Sequence, residues 1–233
     1  MPDDLTPPPQ TADLTRLGDD DQYERAIVLL ASVTDDLLDA VKEMDDADVR
    51  VPSLCPGWSR GHVLTHVARN ADACRNLVEW ASTGTESPMY ASTEVRDADI
   101  EAGAGRSAAE LEADVESSAE RLLSALAGLP LERRHVPVRG GSGREMPAHD
   151  VLWMRIREVA YHLVDLRCGV RFADLPAPVV ARGLPEAVER VGFDPADRGV
   201  SGPDAELLGW LTGREAGTGL ASQGPLPSLP AWG

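Results

Sequence analysis

Apolar residues recur at helical spacing along four long segments, and these segments predict the framework of the fold. They cover about residues 20–44, 59–81, 107–128 and 149–168, and in each of them apolar side chains return every three or four positions. Loops separate the four predicted helices, an arrangement typical of an up-down bundle. We therefore expect a mainly α fold built on a four-helix bundle.

Residues at the predicted helix ends support these boundaries. Ser59 is a candidate N-cap for the second helix. Ser107 and Glu110 fit a capping box at the start of the third helix. Gly169 follows the fourth helix, where a C-terminal glycine cap is expected.

The rest of the chain divides into shorter pieces. The letters RRHVPVRGGSGREMPA predict a short β-hairpin around a Gly-rich turn, and residues 83–106 form a long connection with room for a short helix. Beyond residue 170 we expect two short helices, near 178–191 and 203–213, followed by a Gly- and Pro-rich tail.

These elements predict three regions along the chain. Residues 1–18 are rich in Pro and Asp and have few side chains to bury, so a disordered arm is expected there. Residues 19–169 would form the bundle. Residues 170–233 would form a small α/β C-terminal domain with its tail.

Composition narrows the class of partner. The chain has 233 residues and a formal net charge of -17, which disfavours nucleic acid and anionic membranes because like charges repel. No apolar run is long enough to span a bilayer, and the acidic N-terminus lacks the features of a signal peptide. The three cysteines are widely spaced and predict free thiols, so we expect a cytoplasmic protein. We also expect a monomer.

Candidate chemistry lies on the fourth predicted helix. Glu158 and His162 are one turn apart, and Asp165 and Arg155 share their face. Such an acid–base pair is common on a solvated helix surface, which is the simplest interpretation of this segment alone. The alternative is half of a metal site.

The second predicted helix favours that alternative. It carries His62 and His66 one turn apart, and His66 borders an apolar stripe, so it is expected to face the bundle interior while His62 turns toward solvent. Two imidazoles and one carboxylate leave a fourth position open, as in catalytic zinc sites. His135 and His149 are interpreted as surface histidines.

Longer stretches resemble a known family. The segments GWSRGHVLTHVARNADACRNLVEWASTGTESPMY and LWMRIREVAYHLVDL, and the tail GREAGTGLASQGPLP, are similar to the mycothiol-dependent maleylpyruvate isomerases of the DinB-like superfamily. The resemblance covers most of the chain from about residue 18. It implies a four-helix bundle with a small α/β C-terminal domain.

The resemblance also implies a site and an activity. It implies zinc ligands at His66, Glu158 and His162, an active-site arginine at Arg214, and mycothiol as a thiol cofactor. The implied reaction converts maleylpyruvate, a small anionic substrate, to fumarylpyruvate. One departure is visible, because VGFDPADRGVSGPDAE is poor strand material and predicts a reduced C-terminal sheet.

Three alternatives remain open at this stage. A thiol transferase on the same zinc site would consume mycothiol instead of recycling it. A non-catalytic metal-binding stress protein would have a closed coordination shell. A helical domain without metal would leave the histidines as ordinary structural residues.

Overall fold

The computed structural model describes residues 12–230, which fold mainly into α-helices. The helices are α1 (Asp20–Lys42), α2 (Arg60–Thr83), α3 (Thr93–Gly103), α4 (Ala108–Ala127), α5 (Asp150–Asp165), α6 (Ala177–Val191) and α7 (Asp204–Leu211). The strands are β1 (Pro137–Arg139), β2 (Glu145–Pro147), β3 (Val200–Ser201) and β4 (Ala221–Ser222). The expected mainly α fold is confirmed.

Four of the helices form a bundle around one apolar core. Helix α2 packs against α4 and α5, and α1 packs against the same two helices, which closes the bundle. The apolar stripes that predicted the helices are the faces buried here, and they include Leu29, Leu37, Leu64, Leu77, Leu111, Leu122 and Ile156. Within the described part of the chain, no helix is both long and apolar enough to cross a membrane.

The predicted N-terminal caps are confirmed in the structure. The Ser59 side chain accepts a hydrogen bond from the backbone N–H of His62, and the His62 ring accepts one from the Ser59 backbone N–H. Ser107 and Glu110 form the same reciprocal box at the start of α4. These caps satisfy N–H groups that the first helical turn leaves without partners.

The end of α5 differs from the prediction. The helix ends at Asp165, and Arg167 takes a left-handed backbone conformation (φ 55°) before Gly169 does so (φ 93°). The guanidinium of Arg60 donates hydrogen bonds to the carbonyls of Leu166 and Arg167. Because an arginine from α2 satisfies carbonyls just beyond the helix, the helix does not extend to the glycine that was expected to cap it.

The C-terminal region has a small sheet, as the poor strand material predicted. Strands β3 and β4 pair antiparallel over two residues each, and β1 pairs with β2 in the predicted hairpin. Glu186 of α6 ties this region to the bundle by accepting hydrogen bonds from Trp153 (2.7 Å) and Arg157 (2.9 Å) of α5.

The expected disordered arm does not extend to residue 18. Residues 1–11 lie outside the described residues, but Leu14–Arg16 form a 3-10 turn capped by Asp13. Ala12, Leu14 and Leu17 belong to the buried core. The overall composition of this segment is rich in Pro and Asp, so it did not indicate that a few apolar side chains would be buried. These side chains are enough to pack the segment against the core.

This docking predicts a stability effect. Leu17→Ala should lower the free energy of unfolding by roughly 2–5 kcal/mol, because it removes a fully buried side chain from a packed core. Arg16→Ala, which removes an exposed charge, should cost less than about 1 kcal/mol. Urea denaturation of both variants measures this, and equal small losses would mean that the segment contributes nothing to the core.

Candidate metal centre

His66, Glu158 and His162 converge where α2 packs against α5. The Nε2 atom of His66 lies 3.0 Å from Oε2 of Glu158, and the Nε2 atom of His162 lies 3.3 Å from the same oxygen. All three potential ligand atoms lie within 4.8 Å of one another. The three residues named from the sequence therefore meet at one point.

Helix geometry explains why they meet. Glu158 and His162 are four residues apart on α5, so they share one face. His66 is buried on the face of α2 that meets α5, with a side chain only 7% exposed. His62 is 20% exposed and its ring contacts Glu101 instead (3.2 Å), so the prediction that it turns toward solvent is confirmed.

The charges of the trio depend on burial and on mutual hydrogen bonds. Burial alone would raise the pKa of Glu158, but the hydrogen bonds to His162 and His66 outweigh it and hold that pKa well below its ordinary value. Burial lowers the pKa of His66, which favours the neutral imidazole. Burial alone would lower the pKa of His162, but its hydrogen bonds to Asp165, Cys55 and Glu158 hold that pKa well above its ordinary value. Since metal ions bind ionised carboxylates and neutral imidazoles, His162 would release a proton when a metal binds.

A second group of side chains orients His162. The Nδ1 atom of His162 lies 2.9 Å from Oδ2 of Asp165, whose side chain is only 1% exposed. Arg214 binds Asp165 in a bidentate pair, with Nε and an Nη atom each 2.8 Å from one carboxylate oxygen. Burial would raise the pKa of Asp165, yet its hydrogen bonds to His162 and Arg214 lower it to about 2.

Cys55, His162 and Asp165 also lie close enough together to suggest a metal site. Cys55 Sγ is 3.3 Å from Oδ2 of Asp165. However, Arg214 occupies both oxygens of this carboxylate and places a positive charge beside it. That charge disfavours a metal ion here, so the set is better suited to support His162 than to bind a metal itself.

Sequence reasoning found the three converging residues but missed part of their surroundings. Asp165 was placed on the correct face without a role, and Cys55 was regarded as an isolated thiol. Trp58 was also missed, and its ring lies 5.4 Å from that of His66. Cys55 and Trp58 both belong to the loop that precedes α2, and no periodic pattern links this loop to α5.

The remaining histidines lie away from the trio. His135 is exposed, as predicted, and its ring packs against that of His149 at 5.1 Å. His149 is half-buried, so its interpretation as a surface histidine was only partly correct. Burial lowers the pKa of His149.

A family model matches more than half of the chain. Residues 30–167 match the family model described as the mycothiol maleylpyruvate isomerase N-terminal domain. The chain belongs to this family. The matched range contains His66, Glu158 and His162, whereas Arg214 lies beyond it.

Solved structures agree with this assignment. The crystal structure of the mycothiol-dependent maleylpyruvate isomerase is 31% identical, with a TM-score of 0.83 over 90% of this chain and 96% of that one. A histidine-to-alanine mutant of that enzyme is 30% identical over the same shares, also with a TM-score of 0.83. A search of curated proteins found no match.

The Asp165–Arg214 pair predicts a stability effect that does not require a metal. Arg214→Gln should lower the free energy of unfolding by roughly 3 kcal/mol, because it leaves a buried carboxylate without its cationic partner. Arg171→Gln removes a half-exposed arginine and should cost less than about 1 kcal/mol. Urea denaturation of the two metal-free variants and of the metal-free wild type measures both losses of unfolding free energy.

A double-mutant cycle isolates the pair itself. Adding Asp165→Asn to Arg214→Gln should cost less than the sum of the two single losses, since both substitutions break the same contact. Strict additivity would contradict the assigned ion pair.

Proposed function

We propose that this protein is a metal- and mycothiol-dependent maleylpyruvate isomerase. The observation that carries the proposal is the convergence of two imidazole nitrogens and one carboxylate oxygen on a single point between α2 and α5. Its family, and the solved enzyme to which it is 31% identical over 90% of the chain, indicate the reaction.

The proposed ligands are the Nε2 atoms of His66 and His162 and Oε2 of Glu158. These residues fit a divalent metal such as zinc, because two imidazoles and one carboxylate form a three-ligand set with an open position. The bond from His162 Nδ1 to Asp165 supports the assignment, since metal-ligating histidines usually bind a carboxylate or carbonyl through their other nitrogen.

A bound zinc ion would supply Lewis acidity that lowers the pKa of a thiol near it. The protein's own cysteines are poor sources of that thiol. Burial raises the pKa of Cys74 to about 12 and also raises the pKa of Cys168, while Cys55 contacts the Asp165 network. We infer that the thiol is external, and the family indicates mycothiol.

The proposed reaction is nucleophilic addition followed by elimination. Mycothiol, as its thiolate, would supply a nucleophile able to add reversibly to the cis double bond of maleylpyruvate, with the electron pair of that bond passing to the conjugated carbonyl as an enolate. Loss of the double bond would allow rotation, and departure of the same thiolate would leave the trans product, fumarylpyruvate, so that the thiol would be recycled.

We propose that Arg214 supplies positive charge to this reaction. The hydrogen bonds to Asp165 hold its guanidinium next to the residue that orients His162. From there it would attract a substrate carboxylate and stabilise the enolate oxygen, in the way that fixed charges stabilise transition states.

The metal assignment predicts a difference between two histidines on one helix. His66→Ala should reduce bound zinc from one ion per protein to less than about 0.1 and abolish turnover, because two protein ligands hold zinc weakly. His62→Ala, one turn earlier, should keep both metal and turnover. Elemental analysis measures the zinc content of each variant, and an activity assay measures its turnover. Retained zinc with full turnover in His66→Ala would exclude the assignment.

The reaction predicts how the thiol behaves. Zinc-loaded protein should convert maleylpyruvate to fumarylpyruvate only when mycothiol is present, and the mycothiol concentration should stay constant over many turnovers. Absorbance spectroscopy follows the conversion of maleylpyruvate, and a thiol titration follows the mycothiol concentration. Consumption of one thiol per substrate would instead indicate a thiol transferase on the same site.

A further inference from the structure

Arg96 is a cation near the candidate metal centre to which the proposed reaction assigns no role. It lies on α3 four residues before the buried Ile100, so both residues share the face of α3 that packs against α2. The guanidinium carbon of Arg96 lies 5.9 Å from the centre of the Tyr90 ring. This distance suits a cation–π contact, which helps to hold the guanidinium in place.

Tyr90 places this guanidinium at one end of the seam between α2 and α5. Its hydroxyl forms a hydrogen bond with the side chain of Asn70, which is buried one turn after His66 on α2. Asn70 in turn accepts a hydrogen bond from Arg155 of α5 (2.9 Å). Burial raises the pKa of Tyr90 to about 12, and the charge of Glu158 contributes to the rise, so the Tyr90 hydroxyl lies within electrostatic reach of a proposed metal ligand.

The charge of Arg96 also acts on the metal centre itself. Burial is the main cause of the lowered pKa of His66, and the positive charges of His162 and Arg96 add to it. Arg214 approaches from the other end of the seam, where it binds Asp165. The seam between α2 and α5 therefore has one arginine at each end, with the candidate metal centre between them.

The two arginines differ in how far their charges are already balanced. Arg214 forms a bidentate pair with the buried carboxylate of Asp165. Among the residues that the structure describes, the only carboxylate within ion-pair distance of Arg96 is that of Asp97, the next residue in the chain, which is 58% exposed. An exposed ion pair contributes little to stability because water competes with it, so Arg96 can exchange this partner for another anion at small cost.

The proposed substrate needs more than one cation. Maleylpyruvate has a carboxylate at each end of its chain, one beside the cis double bond and the other beyond the two ketone groups. The net charge of -17 on the protein repels such a dianion at long range, so binding depends on cations within the site. Arg214 is assigned to the half of the substrate that carries the enolate, which leaves the remote carboxylate without a partner.

We propose that Arg96 binds the carboxylate of maleylpyruvate that is remote from the double bond, an inference that rests on the proposed function. Arg96 would exchange the exposed Asp97 carboxylate for the substrate carboxylate, to which it would donate charge-assisted hydrogen bonds. The Tyr90 ring would keep the guanidinium in position. Arg96 is then a residue that sets the preference for a dicarboxylate, and it takes no part in the bond changes.

Calorimetric titration of zinc-loaded protein without mycothiol tests the proposal, because the ligand then binds without turnover. The ligands are maleylpyruvate and maleylacetone, which has a methyl group in place of the remote carboxylate. Wild-type protein should bind maleylpyruvate at least about tenfold more tightly. Arg96→Gln should weaken maleylpyruvate binding by roughly 10- to 100-fold and change maleylacetone binding by less than about threefold, since only the first ligand loses a charged hydrogen bond.

Two further variants and one kinetic measurement accompany the titration. Arg96→Lys keeps the charge without the planar fork, so it should recover part of the lost affinity. Arg121→Gln removes an exposed arginine of α4 and should leave both affinities unchanged. With mycothiol present, Arg96→Gln should lower kcat/KM for maleylpyruvate by a similar factor, mainly through a higher KM.

Three results would overturn the role of Arg96. They are an unchanged affinity of Arg96→Gln for maleylpyruvate, an equal weakening of both ligands by this variant, and an equal effect of Arg121→Gln. Wild-type protein that binds maleylpyruvate but forms no fumarylpyruvate with mycothiol would contradict the isomerase proposal, and the affinities would still decide whether Arg96 binds the remote carboxylate. Absence of maleylpyruvate binding by the wild type would contradict both proposals.

Discussion

The contact between His66 and Glu158 is the interaction on which the site depends. It joins two helices whose residues are 92 positions apart in the chain, across a 3.0 Å hydrogen bond. A shift of one residue on either helix would turn its side chain by about 100° and separate them. The apolar packing of α2 against α5 therefore fixes the register that brings the second imidazole to the Glu158–His162 pair.

The C-terminal region reaches this centre through one buried ion pair. Arg214 follows α7 and binds Asp165 at the end of α5, and Asp165 in turn binds His162. Glu186 adds a second link between α6 and α5. The geometry of the candidate site thus depends on a region whose sheet has only two residues per strand. Side-chain contacts, more than strand pairing, attach this region to the bundle.

Helical periodicity was sufficient to predict the four helices and the helix faces that carry His66, Glu158 and His162, and residue types predicted the caps at Ser59 and Ser107, because these features depend on a few neighbouring positions of the chain. Contacts between distant segments were harder to predict. The docking of Leu14 and Leu17 was missed because composition averages over a Pro-rich segment, and the end of α5 depends on Arg60 of another helix. The contacts of Cys55 and Arg214 with Asp165 span 110 and 49 positions, so local spacing could not predict them.

The central claim is that His66, Glu158 and His162 are the protein ligands of one metal ion. X-ray absorption at the zinc edge of the zinc-loaded protein tests it most directly, because the scattering atoms are identified by type and distance. We expect only nitrogen or oxygen atoms in the first coordination shell, at about 2.0–2.1 Å, together with the outer-shell scattering of two imidazole rings. A sulfur scatterer at about 2.3 Å would contradict the claim and would move the metal to the set that contains Cys55.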